Sequence, residues 1–521
     1  MIVARSRQKR RSLSLCAAIA LSVGIVGTAA AQSDTHVQVG VTELTTHLDP
    51  MGFNANVNMR VSQNVVETLI RYDFKSGAFG PGLATEWSMV SPTVMELTLR
   101  QGVTCHNGEN FTAEDVVVMF GPDRYQGEDA PGHKVAKQFL NIIKTVSAVD
   151  EHTVRVETSS PDPLLETRLA NWMSEVPCAD AYRAAGSWEK WGQGVVGTGP
   201  YKVAEVRPGE FQRFERFDGY WGEQAPVASF TLKVIPEMGA RIASLLAGDL
   251  DIITEISPDQ FEVLADKANT EVVGGPIRNI RTIAYDTRHP VLADPRVRQA
   301  MNLAIDRELI VESIFKGRTD VPSGFQMKSF GKMFIEDFAG ATYDPDKARR
   351  LLEEAGYGGE EISFRYMTDY YTGEVTTTQI LQQMWQDVGL KVELDLNENW
   401  DQILNDEFNE GRGVINDSSN AVYPDPIGQI NRQYGPAGYY QRKGYWGNPD
   451  FDRAGAELLS LDIDERRKAF EQMLTLYETD PPGTYLYVLP MFYGKRTALD
   501  WAPTDTPFMD FRAGSLGTSQ N

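Results

Sequence analysis

The chain has 521 residues, 42% of them hydrophobic and 10% aromatic, which suffices for a large buried core and, by length, about three domains. Lys and Arg number 50 against 72 Asp and Glu, a formal charge of −22 spread without runs of five like residues. Such a surface repels phosphate backbones and anionic headgroups, so no nucleic acid and no membrane surface is expected as a partner.

The first residues read as an address. Arg5, Arg7, Lys9, Arg10 and Arg11 form a basic region, residues 13–28 are mostly apolar, and Ala29-Ala30-Ala31 offers the small residues a signal peptidase reads. A signal peptide over residues 1–31 is expected, because the apolar run is shorter than the ~20 residues of a spanning helix. Cys16 follows Leu15 and opens the apolar run, unlike a lipoprotein cysteine. Arg10-Arg11-Ser12-Leu13 has a faint likeness to a twin-arginine signal, which leaves the export route open. Cleavage leaves 45 basic against 72 acidic side chains, a balance of −27, and two cysteines, Cys105 and Cys178. In an oxidising compartment the two can pair or stay as separate buried thiols.

Thr93 to Arg100 alternates Met95, Leu97 and Leu99 with Glu96, Thr98 and Arg100, the pattern of a half-buried strand. Thr112 is a helix N-cap, with Asp115 at the third helical position and Phe111 and Val116 at staple positions. Phe230, Leu232 and Val234 repeat the strand pattern. Asp294-Pro295 and Asp344-Pro345 start two helices with Pro at the first helical position, the second closed by Gly356. Thr376 to Val388 predicts a third, with Ile380, Leu381, Met384, Trp385 and Val388 inward. Trp385, Trp87, Trp221 and Trp501 are read as core. Gly197-Thr-Gly-Pro-Tyr201 is read as a structural joint, its glycines taking backbone angles other residues avoid.

Several segments in this order resemble one family. They are Leu99-Arg-Gln-Gly-Val103, His106-Asn-Gly108, Phe111-Thr-Ala-Glu-Asp-Val116, Val196-Gly-Thr-Gly-Pro-Tyr201, Leu245-Leu-Ala-Gly-Asp-Leu-Asp-Ile252, Asp294-Pro-Arg-Val-Arg-Gln-Ala300 and Tyr343-Asp-Pro-Asp-Lys-Ala348. Together they resemble the bacterial extracellular solute-binding proteins of peptide/nickel-type ABC importers, from about residue 36 to about residue 512. The resemblance implies an α/β, periplasmic-binding-protein-like fold: two lobes around a hinge with an inserted extra domain, three domains with mixed sheets. Domain I would hold residues 32–68, 198–286 and 493–521, domain II residues 69–197, and domain III residues 287–492. It implies a monomer in the periplasm that takes a small-molecule or short-peptide ligand between domains I and III. The closed form would be handed to ABC permease subunits. No cofactor and no metal are expected, since the six His, at 36, 47, 106, 133, 152 and 289, do not cluster.

The cleft departs from dipeptide-binding members. Where those carry an Asp for the peptide ammonium before Tyr-Pro-Asp-Pro, this chain has Val422. Near Val375, where they carry a basic residue, no Arg or Lys lies between Arg365 and Lys391. A free dipeptide would therefore bury unpaired charge, although Asp417 can approach from another angle. Polar and aromatic groups stand instead. The ligand-contact candidates are Asn54, Asn56, Tyr370, Tyr371, Trp400, Asp417, Ser418, Ser419, Asn420 and Tyr434, with Asn58 beside them and Tyr439, Tyr440, Tyr445 and Trp446 crowding one loop. Aromatic faces and amides suit oligopeptides, opine-like sugar–amino-acid conjugates and oligosaccharides. The alternative for Asn54 to Asn58 is turn formation, and for Tyr445-Trp446 loop packing. A ligand-presenting accessory to a membrane chemoreceptor would carry the same fold. An enzyme is the remote alternative, as the chain has no His-Glu-x-x-His, Gly-x-Ser-x-Gly or P-loop.

Overall fold

The computed structural model describes Met1 and residues 35–52, 56–368, 370–404 and 412–518; the expected leader and Asn54 lie outside them. Ten strands make the main sheet. In chain order they are β1 (His36–Val41), β2 (Tyr201–Arg207), β3 (Phe211–Arg216), β4 (Ser229–Val234), β5 (Ile252–Ile253), β6 (Thr270–Tyr285), β7 (Glu361–Tyr366), β8 (Lys391–Leu396), β9 (Val414–Asn420) and β10 (Gly483–Arg496). Their spatial order is β8-β7-β9-β6-β10-β5-β1-β4-β3-β2. β1 is parallel to β4 and β5, and β7 is parallel to β8 and β9. The other pairings are antiparallel.

The long strands β6 and β10 tie the two halves together. Thr270–Pro276 pair with Pro490–Arg496 on the side of β5, and Ile280–Ala284 pair with Gly483–Val488 on the side of β9. Between these stretches the register slips over residues 277–279. Gly274 and Gly275 precede Pro276, and Pro276 stands opposite Pro490. Gly274 has φ +107°, and a Cβ there would meet the Met491 carbonyl oxygen at 2.2 Å. A bulge in mid-sheet needs such residues.

A second, four-stranded antiparallel sheet has the order Ala84–Ser91, Val94–Leu99, Thr153–Thr158, Ile143–Asp150. Leu97 and Leu99 are buried and Thr98 is exposed, as the alternation predicts. The helix Ala113–Met119 starts with a full capping box between Thr112 and Asp115. Cys105 and Cys178 are joined by a disulfide, Cα–Cα 6.3 Å, closing a loop with a sequence separation of 73.

The predicted helices form with their caps. Asp294 accepts from the Arg296 amide, Asp344 accepts from the Lys347 amide, and Gly356 ends the second in the left-handed region. The third runs Glu374–Asp387, two residues earlier than the apolar stripe suggests. Glu374 is buried and accepts from the Met367, Tyr370 and Tyr371 amides, so it fastens the preceding turn to the helix. Trp385 is fully buried and donates to the Met301 carbonyl at 3.0 Å. Trp501 is core too. Trp87 and Trp221 are only partly buried, because their indole N–H groups reach Glu166 and Glu67, each at 2.8 Å.

Gly197 and Gly199 correct one expectation. Neither has positive φ. They are glycine because the backbone of Asn64–Val65 passes too close: a Cβ on Gly197 would meet the Val65 oxygen at 2.3 Å, and one on Gly199 the Asn64 oxygen at 2.5 Å. His106 holds the same segment. Its Nδ1 accepts from the Gly197 amide at 3.2 Å, and Nε2 meets the Gly199 carbonyl at 2.9 Å. Two motifs separate in sequence are thus one joint.

Among the described residues, buried apolar side chains gather in four groups. One lies under β1 and β4 (Val37, Phe214, Phe230, Trp501), and one fills the second sheet (Leu97, Val116, Val156). The other two lie on opposite faces of the β6–β9 region, around Ile283 and Trp385 on one face and Ile280 and Tyr434 on the other.

Candidate solute-binding cleft

The bulge of β6 opens onto a narrow cleft of about 730 Å³, counted together with the open solvent at its mouth. Its walls come from widely separated segments of the chain. Met59, Ser62 and Gln63 join Thr506, Pro507 and Phe508 from the β1 side, and Tyr72, Phe74, Phe79, Asn171 and Trp172 come from the segments flanking the second sheet. Ile277, Arg278 and Asn279 of the bulge, Asn420 at the end of β9, Ala421 and Val422 just beyond it, and Asp505 also line it. A chamber lined mainly by apolar and aromatic groups, with a few polar ones, is the usual form of a small-molecule site.

Arg278 crosses the chamber. Its Nε donates to Asp505 Oδ2 at 2.6 Å and its amide to the Asp505 carbonyl at 2.8 Å. Its guanidinium lies 4.7 Å from the Tyr72 ring centre and 5.7 Å from that of Phe74, within cation–π range. The Ala421 amide donates to the Arg278 carbonyl at 2.8 Å. Arg278 therefore touches a residue from each flank of the cleft.

Of the ten sequence candidates, Asn420 lines this chamber. Tyr370, Tyr371 and Trp400 do not line it; they form an aromatic group of their own, with Tyr370 4.7 Å from Tyr371 and 5.3 Å from Trp400, ring to ring. Arg281, fully buried, stacks 3.6 Å from the Tyr371 ring centre. Burial pushes the Tyr371 hydroxyl well above its ordinary value. Strand alternation divides the polar run of β9: Ser418 and Asn420 share one face, Asp417 and Ser419 the other. Asp417 accepts from the Tyr440 hydroxyl and from Gln433 Nε2 at 3.2 Å, so its carboxylate already has partners within the protein. Burial raises its pKa, while Tyr440 and the Ser418 amide act against the rise. Ser419 is fully buried.

Tyr434 must be corrected. It is fully buried and packs among Phe325, Tyr440, Trp446 and Tyr477, a core position and not a cleft wall. Its loop is dense because Tyr440, Tyr445 and Trp446 are all buried with it. Asn58 donates to the His47 carbonyl at 3.0 Å, which fits turn formation. Asn56 begins the short helix Asn56–Met59, and Asn54 lies outside the described residues.

Sequence reasoning missed Arg278, Asn279, Asn171, Trp172 and Asp505. The one local signal was Gly-Gly-Pro inside a strand, which marks a bulge and hence a place where side chains leave the sheet register.

With this geometry in view, the comparisons are specific. Residues 78–441 match the model of bacterial extracellular solute-binding proteins, family 5 (middle). The chain belongs to that family. The dipeptide-binding protein of Escherichia coli (strain K12) is 26% identical over 351 residues, 62% of this chain and 64% of that one. The matched stretch thus spans just under two thirds of that relative. The glutathione-binding protein GsiB of Salmonella paratyphi A is 29% identical over 373 residues, 70% of each chain. Among solved structures, the ABC transporter-associated periplasmic binding protein DppA of Helicobacter pylori, in complex with the peptide STSA, superposes with a TM-score of 0.79. The superposition covers 93% of this chain and 98% of that one at 18% identity, an agreement of fold. The two-lobed, mixed α/β architecture is that of periplasmic binding proteins. The family is one of binding proteins and not of enzymes. Among the described residues, no helix is long and apolar enough to cross a membrane.

Proposed function

We propose that this protein is the periplasmic substrate-binding component of an ABC importer. It captures a polar organic solute (an oligopeptide, an opine-like conjugate or an oligosaccharide) between its lobes and delivers it unchanged to the permease. The observation that carries this reading is the chamber at the β6 bulge, walled from both halves of the sheet and from the inserted segment. A ligand there is withdrawn from water only when the walls come together, so binding and closure are one event. The domain division 32–68, 198–286 and 493–521, then 69–197, then 287–492, is proposed with it. Its support is that, among the described residues, the two halves of the main sheet meet at the adjacent strands β6 and β10. The cleft candidates Tyr370, Tyr371, Trp400, Ser418 and Asn420 are proposed to meet the outer part of the solute. We further propose a monomer exported by a signal peptide cleaved after Ala31.

The test is solution scattering and thermal denaturation of the purified protein with a panel of peptides, opines and oligosaccharides. One class should reduce the radius of gyration and raise the melting temperature, and at about one hundred times its Kd the gain is ~2.7 kcal/mol. Stabilisation without compaction, or a chemically altered solute recovered afterwards, would overturn the proposal.

A further inference from the structure

The chamber's own chemistry narrows the solute, on the assumption that the capture function above holds. Its only charged lining side chains, among the described residues, are Arg278 and Asp505, and these are paired with each other at 2.6 Å. Both keep unused valences. Arg278 is 7% exposed, and its Nη2 has no hydrogen-bond partner; Asp505 Oδ1 is buried and likewise unpartnered. Two further lining residues repeat the pattern, with Asn171 Nδ2 and Asn279 Oδ1 both buried and unpartnered. Buried polar atoms are seldom left alone, so a gap of this kind marks a place for a ligand's polar atoms. The inventory is two donors and two acceptors, with no net charge. Around it stand Tyr72, Phe74, Phe79, Trp172 and Phe508.

We propose that the moiety held in this chamber is uncharged: an amide or similar group that both donates and accepts, carried on an aromatic or other apolar body. A free ammonium would have to take Asp505 from Arg278, and a free carboxylate would have to take Arg278 from Asp505. The first exchange leaves the buried Arg278 charge uncompensated, and the second leaves Asp505, one-third exposed, without its partner. Arg278 and Asp505 act as a specificity pair, each keeping the other from receiving a charged ligand.

Titration calorimetry on the full protein tests this with three probes: N-acetyl-phenylalanine amide, N-acetyl-phenylalanine with its free carboxylate, and zwitterionic phenylalanyl-phenylalanine. The neutral amide should bind at least about tenfold tighter than either charged probe. Asp505→Ala frees the guanidinium, so the carboxylate probe should gain about tenfold on the amide. Asp505→Asn, which keeps the shape, should move the ratio the same way and serves if the first variant does not fold. A merely structural Asp505 would weaken all probes together, and an unchanged ratio would overturn the proposal. Tight binding and compaction with the zwitterion but not the amide would also overturn it, while leaving the capture function standing. No closure with any probe or with the wider panel would remove both.

Discussion

Glu175 is fully buried; Ser62 Oγ donates to its Oε1 at 2.8 Å, and Oε2 has no partner. Burial pushes this carboxyl well above its ordinary value, and the bond from Ser62 offsets only part of that. The folded protein therefore keeps a proton that the unfolded chain releases. Its contribution to stability is full below the ordinary carboxylate range and is lost as pH rises through the raised value. Glu175→Gln should raise the melting temperature at about pH 8 and leave it near the parent's at about pH 4, read by calorimetry. His106 runs in the opposite sense. Burial pushes its imidazole down to about 4, although the bond to Gly199 acts the other way. The unfolded chain takes up a proton from its ordinary 6.5 downward and the folded one does not, so this contribution is present above that range and fades as pH falls toward about 4. His106→Asn should cost about 1–2 kcal/mol at neutral pH and flatten the loss of stability across that window in pH-dependent denaturation. Neither role was legible beforehand. His-Asn-Gly and Gly-Thr-Gly-Pro-Tyr are both readable as turns, but the bond between them exists only once the inserted segment has folded back.

At the scale of elements, alternation and capping were read well because they are local: Thr112, Asp294 and Asp344 cap as expected, and Leu97 and Leu99 point inward. The β6 bulge was not, because its partner strand lies two hundred residues away. Nor was the fate of the segment after β9. Val422 and Tyr423 leave the main sheet and enter the core of the second sheet. The Tyr423 hydroxyl donates to the Phe139 carbonyl at 2.5 Å and receives Arg168 Nη1 at 3.2 Å, while Arg168 is itself paired with Asp162 at 2.7 Å. Tyr423 does not line the chamber, yet it pins two of the chamber's walls together. Tyr423→Ala should weaken solute binding and leave the loaded protein with a larger radius of gyration by scattering, at a stability cost of about 3–5 kcal/mol. Tyr423→Phe keeps the ring and should lose only about 1 kcal/mol.

For the molecule as a whole, family membership was legible through ordered short motifs, and the fold followed from it. The ligand chamber was much less so. Among the described residues, Asn420 is the one sequence candidate in its walls, because those walls converge from segments hundreds of residues apart and three of the lining residues, Ile277, Arg278 and Asn279, sit where strand register breaks. The facing prolines at that break carry a mechanical consequence. Proline has no amide hydrogen, so neither Pro276 nor Pro490 can place a rung between the strands. The spine of the protein is therefore compliant along that line, and swinging the halves apart ruptures nothing there. Resistance to opening resides instead in the Tyr423 socket, where the segment after β9 is buried in the core of the second sheet, so substitutions there govern how long a guest stays inside.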